Sequence, residues 1–167
     1  MGTIGRLWRH AFARPARSLF PADSLQRIAE LIRVSESRHR GEICFAVESD
    51  MPLGAVWRGV SPRERAQQAF SNLRVWNTAA NNGVLVYLQL ADRRIEIVAD
   101  RGFDGLVSAE QWRGICQLME ERLTAGEAEA AVAEGIEAIT GLLETHFPQR
   151  PGEVDEDELP DAPVILR

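Results

Sequence analysis

Asn82-Gly83-Val84-Leu85-Val86-Tyr87-Leu88-Gln89-Leu90-Ala91-Asp92-Arg93-Arg94-Ile95-Glu96-Ile97-Val98-Ala99-Asp100-Arg101-Gly102-Phe103-Asp104-Gly105 is the stretch that decides how this chain folds. Val84 to Leu90 is apolar apart from Gln89 and rich in β-formers, which is how a strand buried on both faces reads. After the polar break Ala91–Arg94 the pattern alternates: Ile95, Ile97 and Ala99 point one way, and Arg94, Glu96, Val98 and Asp100 the other. A short polar connection between two such runs predicts a β-hairpin whose second strand returns antiparallel. The hairpin puts Asp92 and Arg93 at one end of a sheet. Asn82, Asp100, Arg101 and Asp104 gather at the other, and chemistry is expected at one of these two ends.

Outward from the hairpin, helices and one more strand follow from periodicity and caps. Leu25, Ile28, Ala29 and Ile32 form the buried stripe of a helix that starts at Asp23 or Ser24 and ends between Ser37 and Arg40, before Gly41. Glu42 to Ser49 is a nearly continuous apolar strand, hence central. Met51 to Gly59 reads as a loop carrying an exposed Trp57. Ser61-Pro62-Arg63-Glu64 is a capping box with proline at the first helical position, opening a helix to about Val75. Ser108-Ala109-Glu110-Gln111 opens another to about Leu123, and Val132, Ile136, Ile139 and Leu143 mark a last helix ending near Phe147. Two strands joined by a helical crossover are expected parallel, the third adds antiparallel, and helices cover both faces. The predicted fold is a three-layer α/β/α sandwich around a small mixed β-sheet.

By length the 167 residues make one domain: a basic arm (1–22), a core (23–147) and an acidic tail (148–167) expected to be disordered. The arm holds Arg6, Arg9, Arg14 and Arg17 and no acid. Beside these stand Ile4, Trp8 and Phe12, so it reads either as an interfacial helix on an anionic membrane surface or as an arm docked on its own domain or a second copy. A net charge of −6 argues against nucleic acid as the partner. Cys44 and Cys116 lie in apolar runs and read as buried, reduced thiols. The opening has no continuous apolar run of the kind a secretory signal uses, so none is expected, and no apolar run reaches the roughly 18 residues of a membrane span; the expected location is cytoplasmic, peripheral at a membrane if the arm binds one.

The generic signatures GxGxxG, P-loop, GxSxG and HExxH are absent, and His10, His39 and His146 show no zinc-ligand spacing. Two candidate sites remain. Asp100 and Asp104 flank a sharp turn at Gly102 with Asn82 across the hairpin; these oxygens either hold a hard cation such as calcium or magnesium or simply cap the turn. Asp92 and Arg93 are either a catalytic pair or the polar tip of a hairpin.

The block Asn82-Gly83-Val84-Leu85, then Asp92-Arg93, then Ile95 to Ile97, then Gly102 resembles the core motif of the TPM-domain family, and the likeness extends from Ser24 to Phe147. The resemblance implies an α/β/α sandwich, divalent-cation binding and a weak acid-phosphatase activity. The chain departs from the usual pattern at several places. Asp100 and Arg101 replace the first glycine and the aromatic of the closing motif, Val98 an acid, Asn81 an aspartate, and Leu73-Arg74-Val75-Trp76 the Trp-Gly-hydrophobic-Gly element. Two functions of different class are therefore expected: a metal-assisted phosphomonoesterase using Asn82, Asp100 and Asp104, or a non-enzymatic module that binds a membrane-associated complex.

Overall fold

The computed structural model of the chain describes residues 3–152 and 158–166. In order, it has α1 (Thr3–Ala11), α2 (Ala16–Leu19), α3 (Ala22–Glu36), β1 (Glu42–Glu48), α4 (Leu53–Trp57), α5 (Pro62–Asn72), β2 (Gly83–Gln89), β3 (Arg94–Ala99), α6 (Ala109–Thr124), α7 (Ala128–His146) and β4 (Val164–Leu166). The sheet order is β3-β2-β1-β4. β1 and β2 are parallel, Glu42 opposite Gly83 through Glu48 opposite Gln89. β3 returns antiparallel to β2, Val84 opposite Ala99 through Gln89 opposite Arg94, as the alternating pattern predicts.

The period of two along each strand sorts the core into two layers. Ile43, Phe45 and Val47, Val84, Val86 and Leu88, and Ile95 and Ile97 face α3, α6 and α7, whose Ile28, Ile32, Met119, Ile136 and Ile139 complete the larger core. Cys44 and Ala46, Leu85 and Tyr87, and Val98 face Ala66 and Ala69 of α5. This is the expected three-layer sandwich. Both capping boxes form: the Ser61 hydroxyl accepts from Glu64 N and the Ser108 hydroxyl from Gln111 N, with each partner side chain reaching back.

The motif glycine of the Asn-Gly pair has a packing reason. A Cβ on Gly83 would collide with the Val75 carbonyl, so only glycine lets the loop after α5 lie against the start of β2. That loop begins earlier than the hydrophobic pattern predicts. Leu73 caps α5 and Arg74, with φ 56°, turns the chain away, so the helix ends at Asn72 rather than Val75. The predicted loop 51–59 also holds one short helix, α4, five residues long, whose outer Trp57 is exposed as expected.

The tail departs from the expectation of disorder. Residues 153–157 lie outside the described residues, but 158–166 run back along the sheet. β4 pairs parallel with the free edge of β1, Ala46 opposite Val164 through Glu48 opposite Leu166, and Leu159 enters the smaller core. A fourth strand thus replaces the expected open edge.

Candidate functional site

The two ends of the sheet carry the candidate residues, and they are built differently. At the first end a four-residue loop, Leu90–Arg93, joins β2 to β3. Buried Gln89 accepts the Asp92 N–H at 3.0 Å, and Arg93 N donates to Leu90 O at 3.1 Å. Arg93 takes the left-handed conformation, φ 51°, which projects its side chain into solvent.

Asp92 points the other way, under α1. Arg6 donates to it from Nη2 at 2.7 Å and from Nε at 3.0 Å, and Arg9 from Nη2 at 3.1 Å. Arg9 Nε also donates to Ala91 O at 3.2 Å. The buried His10 accepts the Met51 N–H on Nδ1 at 3.0 Å, which leaves its ring proton on Nε2, 3.2 Å from Asp92 Oδ2. Burial alone would raise the Asp92 pKa. The hydrogen bonds from Arg6 and Arg9 outweigh that and hold the carboxyl below its ordinary value. The carboxylate is 7% exposed, and both its oxygens accept from arginine. Asp92 ties down the arm while Arg93 turns to solvent, and both line one open concavity at this sheet end together with Arg6, Arg9 and Arg94.

That arrangement fixes which side of the arm faces outward. Ile4, Trp8 and Phe12, four residues apart, share one face, and the Trp8 and Phe12 rings stack at 5.1 Å with planes 9° apart. Their exposures are 69%, 61% and 72%. α1 packs on α4, which adds exposed Leu53 and Trp57. Arg14, Arg17 and Arg58 are also exposed. In open α/β sheets ligands bind beyond the carboxyl ends of the parallel strands. Here the carboxyl ends of β1 and β2 meet the hairpin, and α1 covers its tip.

At the opposite end Asn82, 2% exposed, donates from Nδ2 to Arg40 O and receives no hydrogen bond on Oδ1. Asp100 N donates to Gly83 O at 2.9 Å, so the two candidates share this end as predicted. Asp100 Oδ1 accepts from Arg101 N at 2.8 Å, capping a 3-10 turn at Arg101–Phe103, while its buried Oδ2 has no partner. Asp104 closes the turn and is exposed. Gly102 is the second motif glycine with a steric reason, since a Cβ there would meet the Asn81 and Ala80 carbonyls. Arg101 donates from Nε to Asn81 Oδ1 at 2.8 Å, placing a cation beside the turn. Among the described residues no group of three or more His, Cys, Asp or Glu converges as a metal site. Asn82 and Asp100 offer two unpartnered oxygens, against the six or more that a calcium or magnesium ion takes.

Sequence reading missed Arg6, Arg9 and His10 as partners of Asp92, and Glu48, whose buried carboxylate holds Arg65 and Tyr87. The signal for the first was an arm of arginines with no acid of its own. For the second it was a glutamate inside an otherwise apolar strand.

A three-layer sandwich with this strand order and these two sheet ends defines a small mixed α/β domain of known type. The TPM-domain family matches residues 16–142, and the chain belongs to that family. No curated protein matches it. The NMR structure of the BA42 protein from the psychrophilic bacterium Bizionia argentinensis is similar at 27% identity, covering 87% of this chain and 94% of that one, with TM-score 0.75. The N-terminal domain of a P. gingivalis protein shares the fold at 18% identity, covering 89% and 94%, with TM-score 0.62. No helix among the described residues is long and apolar enough to cross a membrane.

Proposed function

We propose that this TPM domain is a non-enzymatic docking module that rests on an anionic membrane surface through α1 and α4. The observation that carries this reading is the outward stripe of Ile4, Trp8 and Phe12 beside Leu53 and Trp57. Exposed apolar patches of this kind mark interaction sites, and stacked aromatics bordered by arginines suit the boundary between acyl chains and anionic headgroups. Each arginine near such a surface contributes about 1 kcal/mol, and each buried large apolar side chain adds up to about 2 kcal/mol.

The test is co-sedimentation with vesicles of phosphatidylcholine alone or mixed with phosphatidylglycerol. The wild type is expected to bind the anionic vesicles and lose that binding in high salt. Trp8→Ser with Phe12→Ser is expected to reduce partition at least tenfold while unfolding as wild type, because both side chains are exposed. Equal binding to neutral vesicles, or none to either, removes the anionic-surface reading. Deleting the whole arm is the poorer experiment, since it strips Asp92 of its partners.

One observation favours a second reading, the cation-dependent phosphatase that the family resemblance implies. Asn82 Oδ1 and Asp100 Oδ2 are buried oxygens without partners, and Asp104 stands at the same turn. They would hold calcium or magnesium, and the ion would polarise a phosphoryl oxygen. On this reading, titration with either ion gives saturable NMR shifts at Asn82 and Asp100, and Asp100→Ala abolishes hydrolysis of a phosphate monoester. Absence of shifts at millimolar ion eliminates it.

A further inference from the structure

The concavity at the hairpin end of the sheet has a volume of about 620 Å³, within the roughly 300–1,000 Å³ of small-molecule sites. Three parts of the chain wall it: Arg6 and Arg9 of α1, Ala91–Arg94 of the hairpin, and Pro62 at the start of α5. It lies where open α/β sheets receive their ligands, beyond the carboxyl ends of the parallel strands β1 and β2. Arg6, two positions before Trp8, leaves α1 on the side opposite the outward apolar stripe. Among the lining residues four are arginines and one, Asp92, is an acid.

Asp92 organises two of these arginines. It holds Arg6 through Nε at 3.0 Å and Nη2 at 2.7 Å, which leaves Arg6 Nη1 without a hydrogen-bond partner among the described residues. Arg9 is fixed by Asp92 Oδ1 at 3.1 Å and Ala91 O at 3.2 Å. Both guanidiniums are therefore in place before any ligand arrives, which lowers the entropic cost of binding one. The Arg93 guanidinium has no partner among the described residues. Its φ of 51° is a turn conformation that ordinarily favours Gly or Asn, so the chain keeps a cation at the rim where local preference would place a small residue. Arg94 meets Glu120 at 3.2 Å with its side chain 60% exposed, a weak pairing that an anion can share. Four positive groups against Asp92 leave the lining at +3, or +2 with Glu120 counted at its margin.

We propose that this concavity is a binding site for a compact, non-aromatic oligophosphate, of which pyrophosphate is the smallest. Guanidinium forks match phosphate oxygens two at a time, and an anion carrying several charges suits an excess of two to three positive ones. The remaining lining, Pro62 and Ala91, presents no ring on which a nucleotide base could stack, so the phosphates alone are recognised. Binding here needs no metal ion, because the arginines themselves supply the counter-charge. The site is also separate from Asn82 and Asp100, which lie at the other end of the sheet, and from the outward face of α1.

NMR titration of the full chain with inorganic pyrophosphate, in EDTA and at low salt, tests the site. Saturable shifts are expected at the amides of Arg6, Arg9 and Ala91–Arg94, with orthophosphate binding at least tenfold more weakly. ATP is expected to bind no more tightly than tripolyphosphate. Arg93→Asn removes the rim cation and suits the left-handed turn; it is expected to weaken pyrophosphate binding at least tenfold while urea unfolding stays as in the wild type. Arg94→Gln, also at an exposed position, is a second variant with the same expected direction. Trp8→Ser with Phe12→Ser is expected to keep the wild-type affinity, so the oligophosphate site and membrane docking stand or fall separately. No saturable shift at millimolar pyrophosphate overturns the proposal, as do shifts spread equally over Arg14, Arg17 and Arg58. Unchanged affinity in folded Arg93→Asn does the same, and ATP binding more tightly than tripolyphosphate overturns the non-aromatic class.

Discussion

Asp92→Ala is expected to lower the unfolding free energy by about 2–3 kcal/mol and to free α1 from the domain. Removing one partner of a buried ion pair typically costs about 3–5 kcal/mol, because the remaining charge is left without compensation. The lower figure applies here since Arg6 and Arg9 keep 19% and 38% of their side chains in water and can partly rehydrate. The loss falls on the arm specifically. Arg6, Arg9 and His10 all converge on this one carboxylate, and Ala16 N, bonded to Ser49 Oγ at 2.8 Å, is the next tie along the chain. Urea denaturation gives the free energy, and trypsin gives the arm's release as faster cleavage after Arg9 and Arg17. Faster exchange of the Met51 amide, held by His10 Nδ1, reports the same event inside the domain. A catalytic Asp92 would behave in the opposite way: stability unchanged, the arm still protected, turnover lost. A variant as stable as wild type with α1 in place would refute the structural role.

The same residue shows how far the sequence could be read. Asp92 was legible as the tip of a hairpin, because the apolar run before it and the alternation after it are local patterns. Its partners were not, since they lie 82 to 86 positions away in an arm whose own pattern allows several docking modes. The strand order and the three layers followed from periods and capping boxes that each span a few residues. β4 escaped because three apolar residues after an acidic run carry too little pattern to outweigh the composition around them. Its place is set instead by a free sheet edge and by backbone N–H groups seeking the Glu42 carboxylate. Asn82 and Asp100 were correctly placed at one end, because pairing across the hairpin fixes them. That Asn82 spends its amide on Arg40 O is a contact between distant loops, which no local pattern encodes.

Glu48→Ala is expected to destabilise the protein more than any surface change, by about 3–5 kcal/mol. Glu48 ends β1 with its side chain fully buried. Arg65 of α5 grips it from Nε, at 2.9 Å to Oε2, and from Nη2, while the Tyr87 hydroxyl of β2 donates to the same carboxylate. Burial, reinforced by the neighbouring carboxylate, raises the Tyr87 pKa, so the phenol stays a donor throughout the accessible pH range. Truncation leaves Arg65, 20% exposed, without its counter-charge and the Tyr87 hydroxyl without an acceptor. Glu48→Gln keeps an acceptor for Tyr87 but not the charge, and is expected to cost less, about 1–3 kcal/mol. Glu48→Met with Arg65→Met removes both charges and fills the space, and is expected to recover most of the loss, as buried ion pairs replaced by apolar side chains often do. Urea denaturation of the wild type, Glu48→Met, Arg65→Met and the double variant completes a double-mutant cycle whose coupling term should exceed about 1 kcal/mol. Near-additivity would mean that Arg65 finds water when Glu48 is gone, and the pair would then matter little to the fold. Glu48 and Asp92 stand at the same end of the sheet, one binding α5 and the other α1. Two buried carboxylates at that end of the sheet thus hold helices in place, and α1, held by Asp92, carries the exposed Ile4, Trp8 and Phe12.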